Sequence, residues 1–272
     1  MPSPYRERTM PEGHVTHRIV KDHTPLLTGA PVHVSSPQGR FSADAALVDG
    51  QLLERMEAYG KHLFYWWANG HVGHVHLGLI GKYRVTPGPD APVQGQVRMR
   101  LETDRATIDL MGPNECSLIT PDDHVAIVER LGPDPLRRDA KPAVAVERMA
   151  ASRQPIGQLL LNQKVMAGVG NVFRAEALFV LGIDPRRPAR DCTPDELRAV
   201  WDTLVTMLRQ GVKDGRIVTI DRRQYDVPKG PTRRGDTTYV YHRDICLRCG
   251  TPVQIAELGG RACYYCPGCQ PK

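Results

Sequence analysis

The cysteines of this chain are concentrated at one end and are spaced as metal ligands. Of seven cysteines, five lie between Cys246 and Cys269. Four form the pattern Cys246-x2-Cys249-x16-Cys266-x2-Cys269, in which each Cys-x2-Cys pair forms a tight turn that directs two thiolates to one point. This pattern predicts a hairpin closed by one structural zinc ion, because four protein ligands leave no open coordination position. Cys263 does not fit the spacing and is interpreted as a non-ligand.

Two turns have the composition of anion-binding sites. Residues 259–261 read Gly-Gly-Arg midway along the cysteine hairpin, so Arg261 is predicted at its tip. A guanidinium there can bind a phosphate through two hydrogen bonds, although a solvated loop arginine is the plain alternative. Residues 163–171 combine glycines with Lys164 and place Asn171 at the start of a helix, where backbone amides bind anions. The alternative is that Asn171 only caps that helix.

Composition narrows the class of protein. The chain has 272 residues, 41 % hydrophobic and 24 % charged, which are globular values that exclude wholesale disorder. The longest apolar stretch, Ala177–Ile183, is too short to cross a bilayer, and residues 1–9 lack the apolar core of a secretory signal. The net charge of +6 favours an acidic partner such as nucleic acid. We therefore expect a cytoplasmic protein with its thiols in a reducing compartment.

The first half of the chain has the pattern of an antiparallel β-fold that follows one helix. Val15 and Ile19 lie one helical turn apart, which predicts a short amphipathic helix that begins after Pro11 and ends near Thr24–Pro25. Segments with strand-like alternation follow, namely Pro31–Ser35, Leu52–Trp67, His71–Leu79, Gln96–Glu102 and Ala106–Leu110. Short strands at this spacing predict a β-sandwich or barrel.

The second half of the chain has helical spacing and follows a linker at residues 131–142. Helices are predicted over Val144–Ala151, Ile156–Leu161, Val172–Gly182 and Asp195–Gly211. Thr193 and Glu196 form a capping box around Pro194, which starts the last of these helices. We expect an α+β multidomain chain with a leader at 1–10, an N-terminal antiparallel β-sandwich at 11–135, a helical domain at 143–225 and a four-cysteine zinc finger at 236–272. The family resemblance described next implies that the first domain is catalytic and that the helical domain binds DNA.

Four motifs in a fixed order connect these segments to a known family. They are PEG at residues 11–13 after Met10, GKHL at 60–63, AGVGN at 167–171, and the cysteine ribbon with its Gly-Arg tip. From Met10 to Gln270 the chain resembles the formamidopyrimidine-DNA glycosylase/endonuclease VIII family of base-excision repair enzymes. The opening PEGH looks most like the endonuclease VIII branch and its actinobacterial relatives. The resemblance implies a β-sandwich, a helix–two-turns–helix domain and a zinc finger, with DNA in the cleft between lobes.

The resemblance also implies the catalytic residues. Pro11, as an N-terminal secondary amine, attacks C1′ of the damaged nucleotide, and an α-amine with a pKa near about 8 is partly neutral at physiological pH. Glu12 is suited to proton transfer with the sugar or the leaving base. Lys61 contacts the phosphate near the lesion and supports catalysis. Arg261 completes the expected catalytic set and, with Asn171, binds phosphates that flank the flipped nucleotide.

Several of these residues also have a plainer interpretation. For Glu12 it is a solvated carboxylate near a helix start, and for Lys61 a surface lysine after a turn glycine. Leu79 is expected to fill the gap left by the flipped nucleotide, and a core leucine is the alternative. His74 and His76 alternate along a strand and resemble metal ligands, but packed or polar-face histidines are the favoured interpretation.

Two features depart from the family pattern. Pro11 is internal here, and an internal proline nitrogen is a tertiary amide without a nucleophilic lone pair. The mechanism therefore requires residues 1–10 to be absent, and we expect translation to begin at Met10, followed by removal of that Met. The loop Asp109–Asn114 lacks the Arg and Phe with which the formamidopyrimidine branch probes the opposite base, which argues against strict discrimination of that base.

The sequence as a whole predicts a bifunctional DNA glycosylase and abasic-site lyase. It is expected to excise oxidised bases, with pyrimidines favoured, through a proline Schiff base, and to cut the strand by β-elimination, with δ-elimination left open. The expected DNA-binding residues are Lys164, Asn171, Arg261 and Leu79. The expected partner is damaged DNA, double-stranded or partly single-stranded, bound by a nucleoid-associated monomer without membrane contact.

Two other hypotheses compete with this one. If the N-terminal extension is retained, the chain is a non-catalytic damaged-DNA binding protein on the same scaffold. A zinc ribbon attached to an unrelated enzyme is the third interpretation, and it does not explain the PEGH and GKHL motifs.

Overall fold

The protein divides into two compact units, one rich in strands and one rich in helices. The structure is a computed structural model that describes residues 11–228 and 235–272, so the expected leader at 1–10 lies outside the described residues. The boundary between the units falls between Arg130 and Leu131. The second unit holds the segments expected for both the helical domain and the zinc finger.

The first unit is an antiparallel sheet with three helices. The helices are α1 (Gly13–Leu27), α2 (Ser42–Val48) and α3 (Pro121–Glu129). The strands are β1 (Pro31–Ser35), β2 (Gln51–Tyr59), β3 (His62–Trp67), β4 (Val72–His76), β5 (Lys82–Pro87), β6 (Val97–Glu102), β7 (Ala106–Met111) and β8 (Glu115–Ile119). The strand order is β5-β7-β6-β1-β2-β3-β4-β8.

This sheet folds over on itself into a sandwich. Its two halves are joined where β1 pairs with β2 over a short register, Pro31 with Leu52 and Val32 with Gln51. The Tyr65 hydroxyl on β3 lies 2.7 Å from the Tyr83 hydroxyl on β5, although five strands separate β3 from that edge of the sheet. Apolar side chains from both halves share one core. The predicted β-sandwich is confirmed.

Helix α1 is longer than predicted because later parts of the chain stabilise its last turn. The helix continues through Pro25 to Leu27. A proline there leaves carbonyls of the preceding turn without their usual partner. The turn between β6 and β7 supplies donors to this end of the helix: Arg105 donates to the carbonyls of Pro25 and Thr28 at 2.7 and 2.6 Å. The helix end near Thr24–Pro25 was therefore placed too early.

The predicted strands are correct in position but too long in two cases. The segment predicted as Leu52–Trp67 is a hairpin, in which β2 and β3 are joined by the two-residue turn Gly60–Lys61. Gly60 has a φ of +57°, a conformation that favours glycine. The segment predicted as His71–Leu79 ends as a strand at His76. Strands β5 and β8 and helices α2 and α3 were not predicted.

The second unit is a helical bundle with a small hairpin packed on it. Its helices are α4 (Pro142–Ala150), α5 (Ile156–Leu159), α6 (Asn171–Val180) and α7 (Pro194–Asp214), with a short 3-10 turn at Ala189–Asp191. The hairpin consists of β9 (Gln254–Glu257) and β10 (Ala262–Tyr265). Leu258 and Cys263 of the hairpin belong to the hydrophobic core of the helices.

Helix α7 begins as the sequence predicts. The Thr193 side chain accepts a hydrogen bond from the Glu196 amide at 3.2 Å, and the Glu196 carboxylate accepts one from the Thr193 amide at 2.7 Å. The predicted capping box is confirmed. The helix runs to Asp214 and ends at Gly215, which has a φ of +69°. No helix in the described part of the chain is both long and apolar enough to span a bilayer.

Candidate active site and metal centre

The four predicted ligand cysteines meet at one point. The sulfur atoms of Cys246, Cys249, Cys266 and Cys269 all lie within 4.8 Å of one another. The Cys246 and Cys269 sulfurs are 3.9 Å apart and those of Cys249 and Cys266 3.4 Å, too far for a disulfide bond. Cys263 is fully buried in the core and is not part of this set, as predicted. The arrangement is a four-thiol metal site.

The backbone around the cysteines forms the two expected turns. The Gly250 amide donates to the Cys246 carbonyl at 3.0 Å, and Gly250 has a φ of +74°. In the second turn the Cys269 amide donates to the Cys266 carbonyl at 3.2 Å. Gly268 is needed here for space, since a Cβ on it would lie 2.8 Å from the Thr251 hydroxyl. These turns place the thiols, and Cys246 and Cys266 also pack in a hydrophobic cluster with Phe179 and Val240.

Arg261 lies exposed at the tip of the hairpin, as the sequence predicts. The Leu258 amide donates to the Arg261 carbonyl at 3.0 Å and closes the turn. Gly259 and Gly260 both have positive φ, at +65° and +68°. The tip therefore depends on two glycines that place the Arg261 side chain in solvent.

A buried arginine that the sequence analysis missed attaches this tip to the helices. The side chain of Arg174 on α6 has no solvent exposure. It donates to the carbonyls of Gly157 at 2.7 Å and Leu258 at 3.1 Å, and to the Asn171 side-chain oxygen at 2.6 Å. It also reaches the Arg261 carbonyl at 3.3 Å. An arginine within the apolar run of α6 was the available signal for this role.

Asn171 is part of the same network. It is the first residue of α6, so the N-cap position belongs to Gly170, and capping by Asn171 is a wrong interpretation. Its side-chain nitrogen donates to the Ala262 carbonyl at 3.0 Å, while its oxygen accepts from Arg174. Asn171 thus connects the start of α6 to the hairpin, and its contact with a phosphate stays a prediction.

The turn before α6 uses its amides internally. The Gly168 amide donates to the Gln163 side chain at 2.9 Å, and the Ala167 amide donates to the Pro133 carbonyl at 3.1 Å. The expectation that the amides of this turn form an anion site is therefore wrong for these two groups. The backbone carbonyl of Lys164 accepts a hydrogen bond from Arg148. The residue is exposed, so its side chain is accessible to a ligand from the solvent.

Glu176 is a second buried residue that the sequence analysis missed. Its carboxylate accepts hydrogen bonds from the amides of Tyr239, Val240 and Tyr241 at 2.7 to 2.9 Å, and one from the Thr219 hydroxyl. Burial raises the pKa of this carboxyl group, and the four hydrogen bonds act against that shift. The carboxylate holds the residues before the hairpin against α6.

In the first unit, Pro11 and Glu12 lie at the start of α1. Glu12 occupies the N-cap position and is 1 % exposed, so the alternative of a solvated carboxylate is wrong. The Val15 amide donates to the Glu12 carbonyl at 2.9 Å, which fixes the first turn. Pro11 is half-buried immediately before it.

The turn that carries Lys61 is attached to this same end of α1. The Thr16 hydroxyl lies 2.7 Å from the Gly60 carbonyl and 2.8 Å from the Gly13 carbonyl. Burial lowers the pKa of His14 to about 4, and the positive charge of Lys61 adds to that shift. The structure thus brings the elements of Glu12 and Lys61 together.

The structure decides between the alternative interpretations of Leu79 and of the two strand histidines, His74 and His76. Leu79 is 56 % exposed in the turn after β4, so a core position is excluded. In this turn the Gly81 amide donates to the Leu77 carbonyl at 2.9 Å. His74 and His76 pack among other rings, and among the described residues the cysteines are the one group placed to hold a metal. The packed interpretation of the histidines is confirmed.

Part of the loop at Asp109–Asn114 serves to stabilise the fold. The Asp109 carboxylate accepts hydrogen bonds from Arg100 at 2.7 and 3.0 Å, and both side chains are buried. Asp109 is therefore a structural residue of β7, and its side chain is not presented to a ligand.

Comparison with known proteins agrees with the fold and the motifs. The family described as the formamidopyrimidine-DNA glycosylase N-terminal domain matches residues 10–115, and the formamidopyrimidine-DNA glycosylase H2TH domain matches residues 131–222. Endonuclease 8 1 of Mycobacterium tuberculosis is 44 % identical over 96 % of this chain and its own full length. Formamidopyrimidine-DNA glycosylase of Acidithiobacillus ferrooxidans is 32 % identical over 96 % of this chain and 98 % of its own.

Solved structures share the fold over nearly the whole chain. The Lactococcus lactis formamidopyrimidine-DNA glycosylase, determined non-covalently bound to DNA with an abasic site, has a TM-score of 0.79 at 21 % identity, covering 96 % of this chain and 100 % of that one. A structure of MutM with DNA containing carbocyclic 8-oxo-G has a TM-score of 0.80 at 21 % identity, with the same coverage. The chain belongs to the formamidopyrimidine-DNA glycosylase/endonuclease VIII family.

Proposed function

We propose that this chain is a bifunctional DNA glycosylase and abasic-site lyase of base-excision repair. The observation that carries the proposal is the position of Pro11 and Glu12 at the first turn of α1, which the Thr16 hydroxyl connects to the turn of Lys61. This arrangement occurs within a chain that is 44 % identical over 96 % of its length to a protein named Endonuclease 8 1. The preference for oxidised pyrimidines stays a prediction.

The chemistry begins with the nitrogen of Pro11. Its lone pair attacks C1′ of the damaged nucleotide, the bond between C1′ and the base breaks, and the base leaves with a proton. The proline nitrogen then loses its proton and expels O4′ of the sugar, which takes up a proton, so that the ring opens and C1′ becomes part of an iminium. The iminium withdraws electrons, so the C2′ proton is lost and the bond from C3′ to the phosphate oxygen breaks by β-elimination. Glu12 carries protons between the sugar and the leaving base, a role in which a buried carboxylate is effective.

This mechanism requires Pro11 to be the first residue of the active protein. The family match begins at residue 10, which supports translation from Met10 and removal of that residue. A retained extension would leave the Pro11 nitrogen in an amide bond, and the protein would bind damaged DNA without cleaving it.

The DNA is expected to contact positively charged and exposed groups of both units. Lys61, Lys164 and Arg261 supply charge for phosphates, and Asn171 anchors the hairpin that presents Arg261. Leu79 is exposed where an apolar side chain can fill the gap left by a flipped nucleotide. We expect a monomer that acts on double-stranded or partly single-stranded DNA, in the cytoplasm at the nucleoid.

The metal of the cysteine site is zinc in this proposal. Tetrahedral zinc with bonds of about 2.3 Å to sulfur separates neighbouring sulfurs by about 3.8 Å. The 3.4 and 3.9 Å separations found here fit that geometry. Four thiolates fill the coordination sphere, so the ion stabilises the hairpin and takes no part in the reaction.

Borohydride trapping tests the function directly. A protein that starts at Pro11 should form a covalent adduct with abasic-site DNA, because borohydride reduces the iminium to a stable amine. The matched control is the full chain that starts at Met1, which should bind the same DNA without forming an adduct. Equal trapping by both forms would contradict the role of Pro11, and absence of trapping by the trimmed form would contradict the proposed function.

A further inference from the structure

One face of β3 and β4 carries a continuous row of aromatic rings that begins at the β2–β3 turn. His62, Phe64 and Trp66 share the face of β3 that points away from the sandwich core, since alternate residues of a strand share a face. The register pairs His62 with His76 and Phe64 with His74, so the histidines of β4 lie on that same face.

The rings of this histidine row contact one another in sequence. The order is His76, His62, His74, Phe64 and His124, with centroid separations of 5.0, 5.2, 5.2 and 4.5 Å. The Nδ1 atom of His62 lies 2.9 Å from the Nε2 atom of His74, a hydrogen bond in which one ring donates and the other accepts. Such a pair fixes the orientation of both rings.

The central rings of the row are uncharged at neutral pH. Burial lowers the pKa of His62 to about 3 and that of His74 to about 4. A neutral pair needs one donor and one acceptor, which is what the single hydrogen bond between the rings provides. The row is therefore an ordered, neutral cluster of rings, in which Phe64 and His74 are buried, and it begins directly after a positively charged lysine.

Lys61 lies at the head of the row. It directly precedes His62 in the turn between β2 and β3, and its positive charge contributes to the lowered pKa of both His14 and His76. The Nδ1 atom of His76 is buried and has no hydrogen-bond partner among the described residues. The His76 ring is therefore held at that edge by its contact with His62, and not by a hydrogen bond from Nδ1.

We propose that His62 is a positioning residue for Lys61, because its ring contacts the His76 ring at 5.0 Å and hydrogen-bonds His74, which fixes the strand position directly after the lysine. The inference rests on the proposed function, in which Lys61 contacts a phosphate of the DNA. A lysine side chain loses much rotamer freedom when it binds, and ordered surroundings reduce that loss. Small displacements of such a group lower reaction rates strongly.

Three substitutions separate the ring from the hydrogen bond. His62→Phe keeps the stacking and removes the bond to His74, His62→Asn keeps a polar group near the position of Nδ1 and removes the ring, and His62→Ala removes both. The measurement is the single-turnover cleavage rate of a preformed abasic site, together with DNA affinity and the unfolding midpoint. We expect His62→Ala to reduce the rate on the order of tenfold, with the other two variants between it and the wild type.

A double-mutant cycle with Lys61→Ala tests whether His62 acts through the lysine. In the Lys61→Ala background, His62→Ala should change the rate by less than about twofold, because the group that it positions is absent. Effects that multiply independently would overturn the proposal, and so would a wild-type rate in His62→Ala. If His62→Ala does not fold, His62→Phe takes its place in the cycle.

The control variant and the wild type complete the experiment. His33→Ala removes an exposed strand histidine of β1 that pairs with Asp49, and it should cleave at the wild-type rate. All variants are made in the protein that starts at Pro11, which is the wild type of this experiment. If that protein neither traps nor cleaves abasic DNA, both this inference and the proposed function are overturned. A wild type that cleaves while all three His62 variants match it would overturn this inference alone.

Discussion

The carboxyl group of Glu12 is buried, so its position suits proton transfer and not the role of a surface charge. It is 1 % exposed at the N-cap of α1. Glu54 on β2 is a carboxylate of the opposite kind, exposed to solvent on the sheet. The contrast between these two positions is the basis of a matched pair of substitutions.

Glu12→Gln should slow base removal by ~10²–10⁴-fold, because the amide keeps the shape of the side chain but cannot transfer a proton. Cleavage of a preformed abasic site should be less affected, since no base then has to leave. Single-turnover assays on lesion DNA and on abasic DNA measure the two steps separately. Glu54→Gln is the control and should match the wild type, while an unchanged rate of base removal in Glu12→Gln would exclude Glu12 from catalysis.

Buried histidines should make the fold sensitive to acid. Burial lowers the pKa of His23 to about 4, from 6.5 in the unfolded chain. As the pH falls from 6.5 toward 4, the unfolded state takes up a proton that the folded state does not. The free energy of unfolding should therefore decrease by about 1.4 kcal/mol for each pH unit in that window, and the full stability should be present above pH 6.5.

Urea unfolding at pH 7.5 and pH 5 measures this effect for His23. The ring lies edge-on to Tyr83 at 5.1 Å, so His23→Phe preserves the packing and removes the titrating group. The variant should lose less stability than the wild type between the two pH values. A His23→Phe variant that loses as much stability as the wild type between the two pH values would show that this ring is not the source of the effect.

At the scale of elements, the sequence predicts those helices and hairpins whose signal lies within a few neighbouring residues. The start of α7 was predicted because its capping box lies within four residues, and the metal hairpin because its ligands come in adjacent pairs. Strand β5 and helix α3 contain no buried residue, so the hydrophobic core does not define either of them. Strand β5 forms by pairing with β7, and the sequence of β5 itself does not reveal that partner.

In the candidate site, too, the residues that the sequence predicts are those with a local signal. Pro11, Glu12 and the cysteines stand out because each motif is continuous or closely spaced. Arg174 and Glu176 do not, because their partners lie far along the chain: Leu258 is 84 residues from Arg174, and Tyr239 is 63 residues from Glu176. A buried charged residue on an apolar helix indicates that partners exist, but only the fold identifies them.

The hairpin should lose its order when its metal ligands are removed. Cys249→Ser should release the metal and displace the tip, since a ribbon this small has no core of its own to hold it. Arg261→Ala should weaken DNA binding to a similar extent while keeping the metal. Metal content by mass spectrometry and DNA affinity separate the two variants; normal binding of lesion DNA by metal-free protein, with turnover alone lost, would contradict a structural metal.

At the scale of the whole molecule, the net charge of +6 supports binding to DNA through phosphates. Affinity should therefore fall steeply as salt increases. Arg261→Ala should reduce the slope of log affinity against log salt by about 1, since one phosphate contact is lost. Binding titrations between low and physiological salt measure that slope. Arg198→Ala removes the same charge from an ion pair with Asp202 on α7 and should leave the slope unchanged.

The four ligand thiols differ in how well the protein shelters them. Cys246 and Cys266 are 2 % and 0 % exposed, whereas Cys249 is exposed on the outer turn. Oxidation of cysteine requires both thiolate character and access, so peroxide in solution reaches Cys249 before the other sulfurs. Loss of that ligand opens the hairpin that carries Arg261. The oxidants that damage DNA bases thus also attack the repair enzyme. In its metal site the residue most accessible to them is the exposed Cys249.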